Sequence, residues 1–121
     1  MHERIAARLR EEEFLRQRLT VTTGDYKNAV ESLLKLAMGD TSGSRAAAQV
    51  LLSTYNGYNY HMDLTDLCVL DLEYIEQALI VMRGRSLLCA EPHSVIPEGS
   101  RRFLALEENW PGLHNSVRHT E

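Results

Sequence analysis

This sequence of 121 residues lacks any long apolar run. Its longest uninterrupted apolar stretch covers only residues 78–82, whereas a helix that spans a bilayer needs about 20 predominantly apolar residues. The first residues also lack the apolar stretch that is typical of a secretory signal. We therefore expect a protein that does not cross a membrane and that acts in the cytoplasm.

An excess of positive charge is missing as well. The chain has 13 Lys and Arg against 17 Asp and Glu, which gives a formal net charge of −4. Domains that bind duplex nucleic acid normally have a basic face and a high isoelectric point. The N-terminal stretch, residues 1–18, does have a slight basic excess, with five arginines and four glutamates. Nucleic acid is therefore disfavoured as a direct ligand, and so is an anionic membrane surface.

Cysteine is scarce, and phosphate-binding loops are absent. Cys68 and Cys89 are the two cysteines, and no second pair is present to complete a zinc site. Because no secretory signal is seen, reduced and partly buried thiols are favoured over a disulfide. The stretch 39–43 has glycine at both ends but lacks the lysine and the length of a P-loop. The sequence therefore contains no motif for nucleotide phosphates.

What the sequence does contain is the apolar spacing of helices. Apolar residues recur three and four positions apart between stops at Gly39, Gly57 and Gly84. This pattern predicts an all-α fold, a compact single-domain bundle of five to six short helices. The helices are predicted at about 2–19, 25–38, 44–55, 64–70, 72–83 and 98–109. The predicted core consists of Val30, Leu33, Val50, Leu51, Leu67, Leu70, Ile75, Leu79, Phe103 and Leu106.

The predicted helix at 72–83 has the most regular apolar stripe. Its large apolar side chains follow a 3-4-3 spacing, at Leu72, Ile75, Leu79 and Met82. Such spacing places the four side chains on one side of a helix, which predicts that this side faces the core. Gly84 is predicted to stop this helix, and Gly39 to end an earlier one in the left-handed conformation.

The chain divides into three predicted parts. Residues 1–20 form a charged N-terminal helix, residues 21–112 the helical core domain, and residues 113–121 a flexible tail. In the N-terminal helix, Arg and Glu alternate with apolar residues, so its apolar edge is narrow. This helix is predicted either to dock one edge on the core or to project and pair with a second copy, as a homodimer, or with another protein.

Arginines of the N-terminal helix are the first candidate partner-binding residues. Arg8 and Arg16 each stand four residues from Glu12, a spacing that supports an exposed helix by a few tenths of a kcal/mol per pair. The planar guanidinium group suits recognition of carboxylates. We therefore take Arg8 and Arg16 as candidate contacts to a partner.

A tyrosine-rich connection supplies the second candidate surface. Three of the five tyrosines of the chain fall within residues 55–60. Tyrosine mixed with Asn and Gly is typical of recognition loops, stacking on nucleobases is a second interpretation, and a tight turn with inward-facing rings is a third. The candidate partner-binding residues of this connection are Tyr58, Asn59, Tyr60 and His61.

A metal or catalytic site has weaker support. Five residues could supply nitrogen or oxygen ligands, namely His61, Asp63, Asp66, Glu91 and His93, but their spacing matches no standard motif. Cys89 and His93 could form a nucleophile pair, yet nothing identifies an orienting third group. We therefore predict no metal, no cofactor and no catalytic residue.

Three motifs give a resemblance to a known group of proteins. They are GDTSGSRAAAQVLLSTYNG at 39–57, LTDLCVLD at 64–71 and EPHSVI at 91–96, with Trp110 after them. Together they resemble a family of small proteins carried by phages and integrative mobile elements of proteobacteria, over roughly residues 38–110. The resemblance brings no established activity, and it implies a mobile-element accessory protein in a bacterial cytoplasm.

Three functions follow as expectations. The first is a non-enzymatic protein that binds and inhibits or remodels a protein complex encoded by the host or the element. The mobile-element setting implied by the resemblance includes anti-defence inhibitors of the anti-CRISPR type, which is an association and not a physical argument. The second is a nucleic-acid-associated transcriptional regulator. The third is a small metal-dependent enzyme.

Overall fold

The computed structural model describes residues 2–118, and over these residues the protein is all-α. The six α-helices are α1 (His2–Leu19), α2 (Thr23–Ala37), α3 (Ser42–Tyr55), α4 (Leu72–Leu87), α5 (Gly99–Asn109) and α6 (Asn115–Arg118). Three short 3-10 helices lie at Leu64–Val69, Pro92–Val95 and Pro111–Leu113. The described residues contain no strand, and an isolated bridge joins Tyr60 to His114. The predicted fold class is confirmed. No helix in this part of the chain combines the length and apolar character needed to cross a membrane.

Side-chain caps explain where α2 and α3 begin. The hydroxyl of Thr22 accepts a hydrogen bond from the backbone N–H of Asp25 at 3.0 Å, and that of Thr41 accepts one from Ser44 at 3.0 Å. Each cap satisfies a first-turn N–H group that has no partner within the helix. Both helices therefore start within two residues of their predicted positions.

The core lies where α2, α3 and α4 pack together and α5 closes one side. Most of the predicted core is buried, including Val30, Leu33, Val50, Leu51, Leu70, Phe103 and Leu106. Two of the predicted members, Leu67 and Ile75, are half-buried. Tyr26 is fully buried as well, and its hydroxyl donates to the carbonyl of Ala90 at 2.7 Å. This bond ties α2 to the chain that follows α4.

The orientation of α4 differs from the prediction. Leu72 is 84% exposed and Leu79 is 46% exposed, so these two residues of the most regular apolar stripe do not face the core, whereas Met82 is half-buried against it. The side that packs inward has Ala78, Val81 and Gly84. Small residues lie there because α4 runs close to α2, and close approach of two helices leaves no room for leucine between them.

Two glycine predictions are also wrong. Gly84 does not stop α4, which continues to Leu87. Gly39 follows α2, but its φ is not positive. The described residues with positive φ are Cys89, at 55°, and Glu98, at 52°. Neither is glycine, so the left-handed conformation cannot be located here from the positions of glycine.

The outward orientation of Leu79 gives a stability prediction. Leu79→Ala should lower the free energy of unfolding by less than about 1 kcal/mol, since a substitution at an exposed site removes little buried surface. The matched control is Leu51→Ala at a fully buried site, which should cost about 2–5 kcal/mol. Urea unfolding followed by circular dichroism, at a protein concentration low enough to keep the chain monomeric, measures both values. A loss of 2 kcal/mol or more at Leu79 would contradict this orientation of α4.

The N-terminal helix α1 has no buried residue. Val21, in the connection that follows it, is 8% exposed and belongs to the core. Among the described residues, no carboxylate lies within 4 Å of the Arg8 or Arg16 guanidinium, so the expected pairs with Glu12 do not form. Hydrogen bonding between α1 side chains instead joins Gln17 to Glu13 at 3.4 Å.

The C-terminal segment is ordered further than predicted. Leu113 is 2% exposed, and Arg118 donates to the carbonyl of His61 at 2.9 Å. The expectation of a flexible tail from residue 113 onward is therefore wrong for residues 113–118, which pack against the core and the connection before Asp63. Residues 119–121 lie outside the described residues.

Two buried phenols predict a loss of stability in alkali. Burial is the main cause that raises the pKa of Tyr26 and of Tyr60 from 10 to about 12. Because the folded chain holds these protons more tightly than the unfolded chain, their stabilising contribution is complete below pH 10 and is lost as the pH rises towards 12. The variant Tyr26→Phe with Tyr60→Phe should show a smaller decline of unfolding free energy over this range. Tyr58→Phe is the matched control, and an equal decline in both variants would contradict the prediction.

Candidate partner-binding surfaces

The tyrosine-rich connection exposes one tyrosine and buries the next. Tyr58 is 91% exposed, whereas Tyr60 is 4% exposed. The Tyr60 hydroxyl donates to a carboxylate oxygen of Glu107 at 3.1 Å, and its ring meets that of His114 edge-on, with 5.3 Å between the ring centroids. The interpretation of Tyr60 as a partner contact is therefore wrong, because this ring packs within the domain. His61 is exposed and Asn59 is half-buried.

The C-terminal segment holds this connection in place. The backbone N–H of Asn115 donates to the carbonyl of Asn59 at 2.8 Å, and its side-chain amide donates to the carbonyl of Tyr58 at 2.9 Å. Arg118 contacts both the carbonyl of His61 and the carboxylate of Asp63. Bonds to these carbonyls fix the backbone at Tyr58 and Asn59, so the outward position of Tyr58 is a feature of the fold.

On α1, a set of apolar residues shares one side with two arginines. Five large apolar residues of this helix are between 44% and 60% exposed, namely Ile5, Leu9, Phe14, Leu15 and Leu19. At 100° per residue, all of them except Phe14 fall on the same side as Arg8 and Arg16. Within the described residues, no hydrogen bond, ion pair or ring contact joins this helix to Tyr58 or His61. The two predicted surfaces are therefore separate.

The predicted metal ligands are spread over different contacts. Asp66 accepts from Arg45 at 3.0 Å and from the buried amide of Gln49 at 2.8 Å. The hydrogen bond from Gln49, and then Arg45, hold the pKa of this carboxyl below its usual value. Asp63 faces Arg118. Asp63 and Asp66 therefore link neighbouring helices through these hydrogen bonds and ion pairs.

The remaining candidates make contacts of their own. The Nε2 atom of His93 lies 3.6 Å from a carboxylate oxygen of Glu91, and its ring meets Tyr55 edge-on at 5.0 Å. The thiol of Cys89 points to the carbonyl of Ser86 at 3.8 Å. Over residues 2–118, no three His, Cys, Asp or Glu side chains are grouped so that they could hold a metal ion.

A shallow groove of about 530 Å³ lies between α2 and α5. Its apolar floor includes Leu34 and Ala105, and its rim includes Arg102. Arg102 is bound by both carboxylate oxygens of Glu31, at 2.9 and 2.6 Å. This bond is the main cause that lowers the pKa of Glu31. The pair crosses the groove, so Arg102 links α5 to α2.

One exposed apolar surface was not predicted from the sequence. On α4, Leu72 and Leu79 point outward two turns apart, and the preceding 3-10 helix exposes Leu64 and Val69 by 70% and 52%. The 3-4-3 spacing correctly placed Leu72 and Leu79 on one side of the helix, but the prediction assigned that side to the core. The available signal was the row of small residues on the opposite side of α4, which indicates the side that packs closely.

Comparison with known proteins gives one match. Residues 27–111 match the sequence model of a family described as "Family of unknown function (DUF7673)". This range includes most of α2, all of α3, α4 and α5, and the connection with Tyr58, while α1 and α6 lie outside it. No curated protein and no solved structure matches the chain.

Proposed function

We propose that this chain, which belongs to the DUF7673 family, is a non-enzymatic interaction protein whose helix α1 binds another protein. One observation carries the proposal: α1 has 18 residues, none of them buried, and five of its large apolar side chains are between 44% and 60% exposed. Most of the stability of helices in proteins comes from packing an apolar side, and α1 buries none of its residues. A partner protein would supply that packing.

The chemistry of α1 indicates the surface that it binds. Arg8 and Arg16 lie among the apolar residues of α1, and neither has a carboxylate within 4 Å among the described residues. An arginine beside leucines suits a surface that combines carboxylates with apolar side chains. The complementary surface is therefore acidic and apolar.

Tyr58 is a second contact in this proposal. It is 91% exposed, and Asn115 binds the carbonyls of Tyr58 and Asn59, which fixes the backbone there. A tyrosine has only two side-chain torsions, so it loses little conformational entropy when it is buried in an interface, and such residues are frequent anchors. Asn59 and His61 flank this anchor, and His61 adds an exposed polar contact.

The target that we propose is a protein complex of a bacterial host or of the mobile element itself. The resemblance over residues 38–110 favours this setting, and inhibition or remodelling of the complex is the corresponding mode of action. An anti-defence role of the anti-CRISPR type belongs to the same proposal. A protein of this kind needs surfaces that bind, with no catalytic constellation.

Charge reversal on α1 tests the proposed function. The tagged full chain should capture a protein from host lysate, and Arg8→Glu with Arg16→Glu should weaken binding to the identified protein by roughly thirtyfold or more, because the loss of even one arginine anchor costs about 2 kcal/mol. Titration calorimetry with that purified protein measures the change.

The matched control reverses two arginines outside the apolar side of α1. Arg10→Glu with Arg18→Glu changes the net charge equally but lies away from Ile5 and Leu19. This control should bind with nearly the affinity of the parent chain. Equal weakening by both variants would show that the arginines only steer association at long range. A gel shift with nucleic acid at physiological salt would favour the alternative function, a nucleic-acid-associated transcriptional regulator.

A further inference from the structure

We infer that α1 of one copy docks on the outer side of α4 in a second copy, and that the exchange is reciprocal and forms a dimer. The inference rests on the proposed function, since it identifies a surface that α1 binds. The α4 outer side is defined by Leu72, Glu73, Glu76 and Leu79. It is acidic and apolar, which is the chemistry that α1 requires.

The apolar part of the α4 outer side is left without cover within the chain. Leu72 and Leu79 stand two turns apart, 84% and 46% exposed, with Glu76 between them. Val69, just before α4, extends the apolar surface and is 52% exposed. Scattered apolar residues on a surface need no explanation, but a row of them on one side of a helix indicates a contact.

The charges of the α4 outer side are equally uncovered. Asp71, Glu73 and Glu76 are exposed, and among the described residues none of the three has a cationic side chain within 4 Å. Arg83 stands beyond Leu79 at the other end of this side. Three carboxylates against one arginine leave an excess of negative charge beside the apolar row.

Helix α1 has the opposite arrangement. Arg8 and Arg16 lie among its exposed apolar residues and have no carboxylate within 4 Å in the described part of the chain. Arginines elsewhere do find partners, as Arg45 does with Asp66 at 3.0 Å and Arg102 with Glu31 at 2.6 Å. On this side of α1 the two arginines outnumber the carboxylate of Glu12, whereas on α4 the carboxylates outnumber Arg83. The excess charges of the two helices are therefore opposite, and each lies beside apolar residues.

The two helices also match in length. At 1.5 Å per residue, the 18 residues of α1 extend about 27 Å and the 16 residues of α4 about 24 Å. Docking of α1 would place apolar residues on apolar residues and arginines near glutamates. Every copy carries both surfaces. In a reciprocal exchange, each α1 therefore packs on the α4 of the other copy, which leaves no docking surface free and closes the assembly at two copies.

Light scattering coupled to size exclusion tests the dimer with the full chain. The parent chain should approach twice the 13.8 kDa of one copy as its concentration rises, and the dimer should weaken with added salt. Arg8→Glu with Arg16→Glu should raise the dimer dissociation constant roughly tenfold or more, since close interfacial charge pairs couple strongly. Glu73→Arg with Glu76→Arg should have the same effect. All four positions are exposed, and thermal melts confirm that each variant remains folded.

Mixing the two variants separates this exchange from other contacts. In the mixed dimer, the acidic α1 of one variant faces the basic α4 of the other, which is complementary. The other α1 and α4 both have the parent sequence, so the mixture should restore the dimer. The inference is overturned if the parent chain remains monomeric, if the α4 variant dimerises normally, as contact between two α1 helices would predict, or if mixing restores nothing. A monomeric chain that still binds a host protein through Arg8 and Arg16 would overturn the dimer alone. A parent chain that neither dimerises nor binds a host protein would overturn the proposed function as well.

Discussion

Replacement of Phe103 by alanine should lower the free energy of unfolding by about 3–5 kcal/mol, the usual cost of truncating a fully buried phenylalanine. Phe103 is 0% exposed, and its ring centroid lies 4.9 Å from that of Tyr55 and 6.4 Å from that of His93. It therefore joins α5 to α3 and to the 3-10 helix at Pro92–Val95. Small domains are stable by only about 5–15 kcal/mol, so the variant should melt at a much lower temperature.

Leu104→Ala is the matched control for this experiment. Leu104 is the next residue on α5, but it is 55% exposed, so its truncation should cost less than about 1 kcal/mol. Urea unfolding followed by circular dichroism gives both values if the transition is two-state. Similar losses at the two positions would show that α5 does not close the core with its Phe103 side.

Local signals were sufficient to predict most of the helices. The 3.6-residue repeat and the polar breaks between its segments placed α2 and α3 within two residues of their observed starts. The prediction for α5, 98–109, differs from Gly99–Asn109 by one residue. These features depend on residues a few positions apart, which the sequence displays directly.

The orientation of α4 could not be predicted in the same way. A stripe of large apolar residues shows that a helix has an apolar side, but it does not show what covers that side. In this chain the core takes the side with Ala78, Val81 and Gly84, because α2 approaches closely there. Leu72 and Leu79 are left for solvent or for a partner.

The candidate site was predictable in part. The exposed character of Arg8 and Arg16 follows from the low apolar content of α1, which the sequence shows. The different fates of Tyr58 and Tyr60 follow from hydrogen bonds to residues 114–118, more than 50 positions later in the chain. Local composition contains no information about such a contact, so the aromatic cluster alone could not tell which ring points outward.

Replacement of Gly84 by alanine should also destabilise the domain, by about 1–3 kcal/mol or more, although alanine is the better helix former by about 1 kcal/mol. A Cβ atom at this position would lie 2.4 Å from Cγ of the Tyr26 ring, and that ring is fully buried and tied to Ala90. Either the ring or α4 must therefore move. Thermal and urea unfolding measure the loss.

Gly43→Ala, in the first turn of α3, is the matched control. Its Cβ would lie 3.7 Å from the hydroxyl of Thr41, an ordinary contact, so this variant should be neutral or slightly more stable. A double-mutant cycle isolates the cause, because in a Tyr26→Ala background the ring is gone and Gly84→Ala should cost little. The expected coupling between the two positions exceeds about 1 kcal/mol, and additive losses would show that the clash with Tyr26 does not limit the approach of α4 to α2.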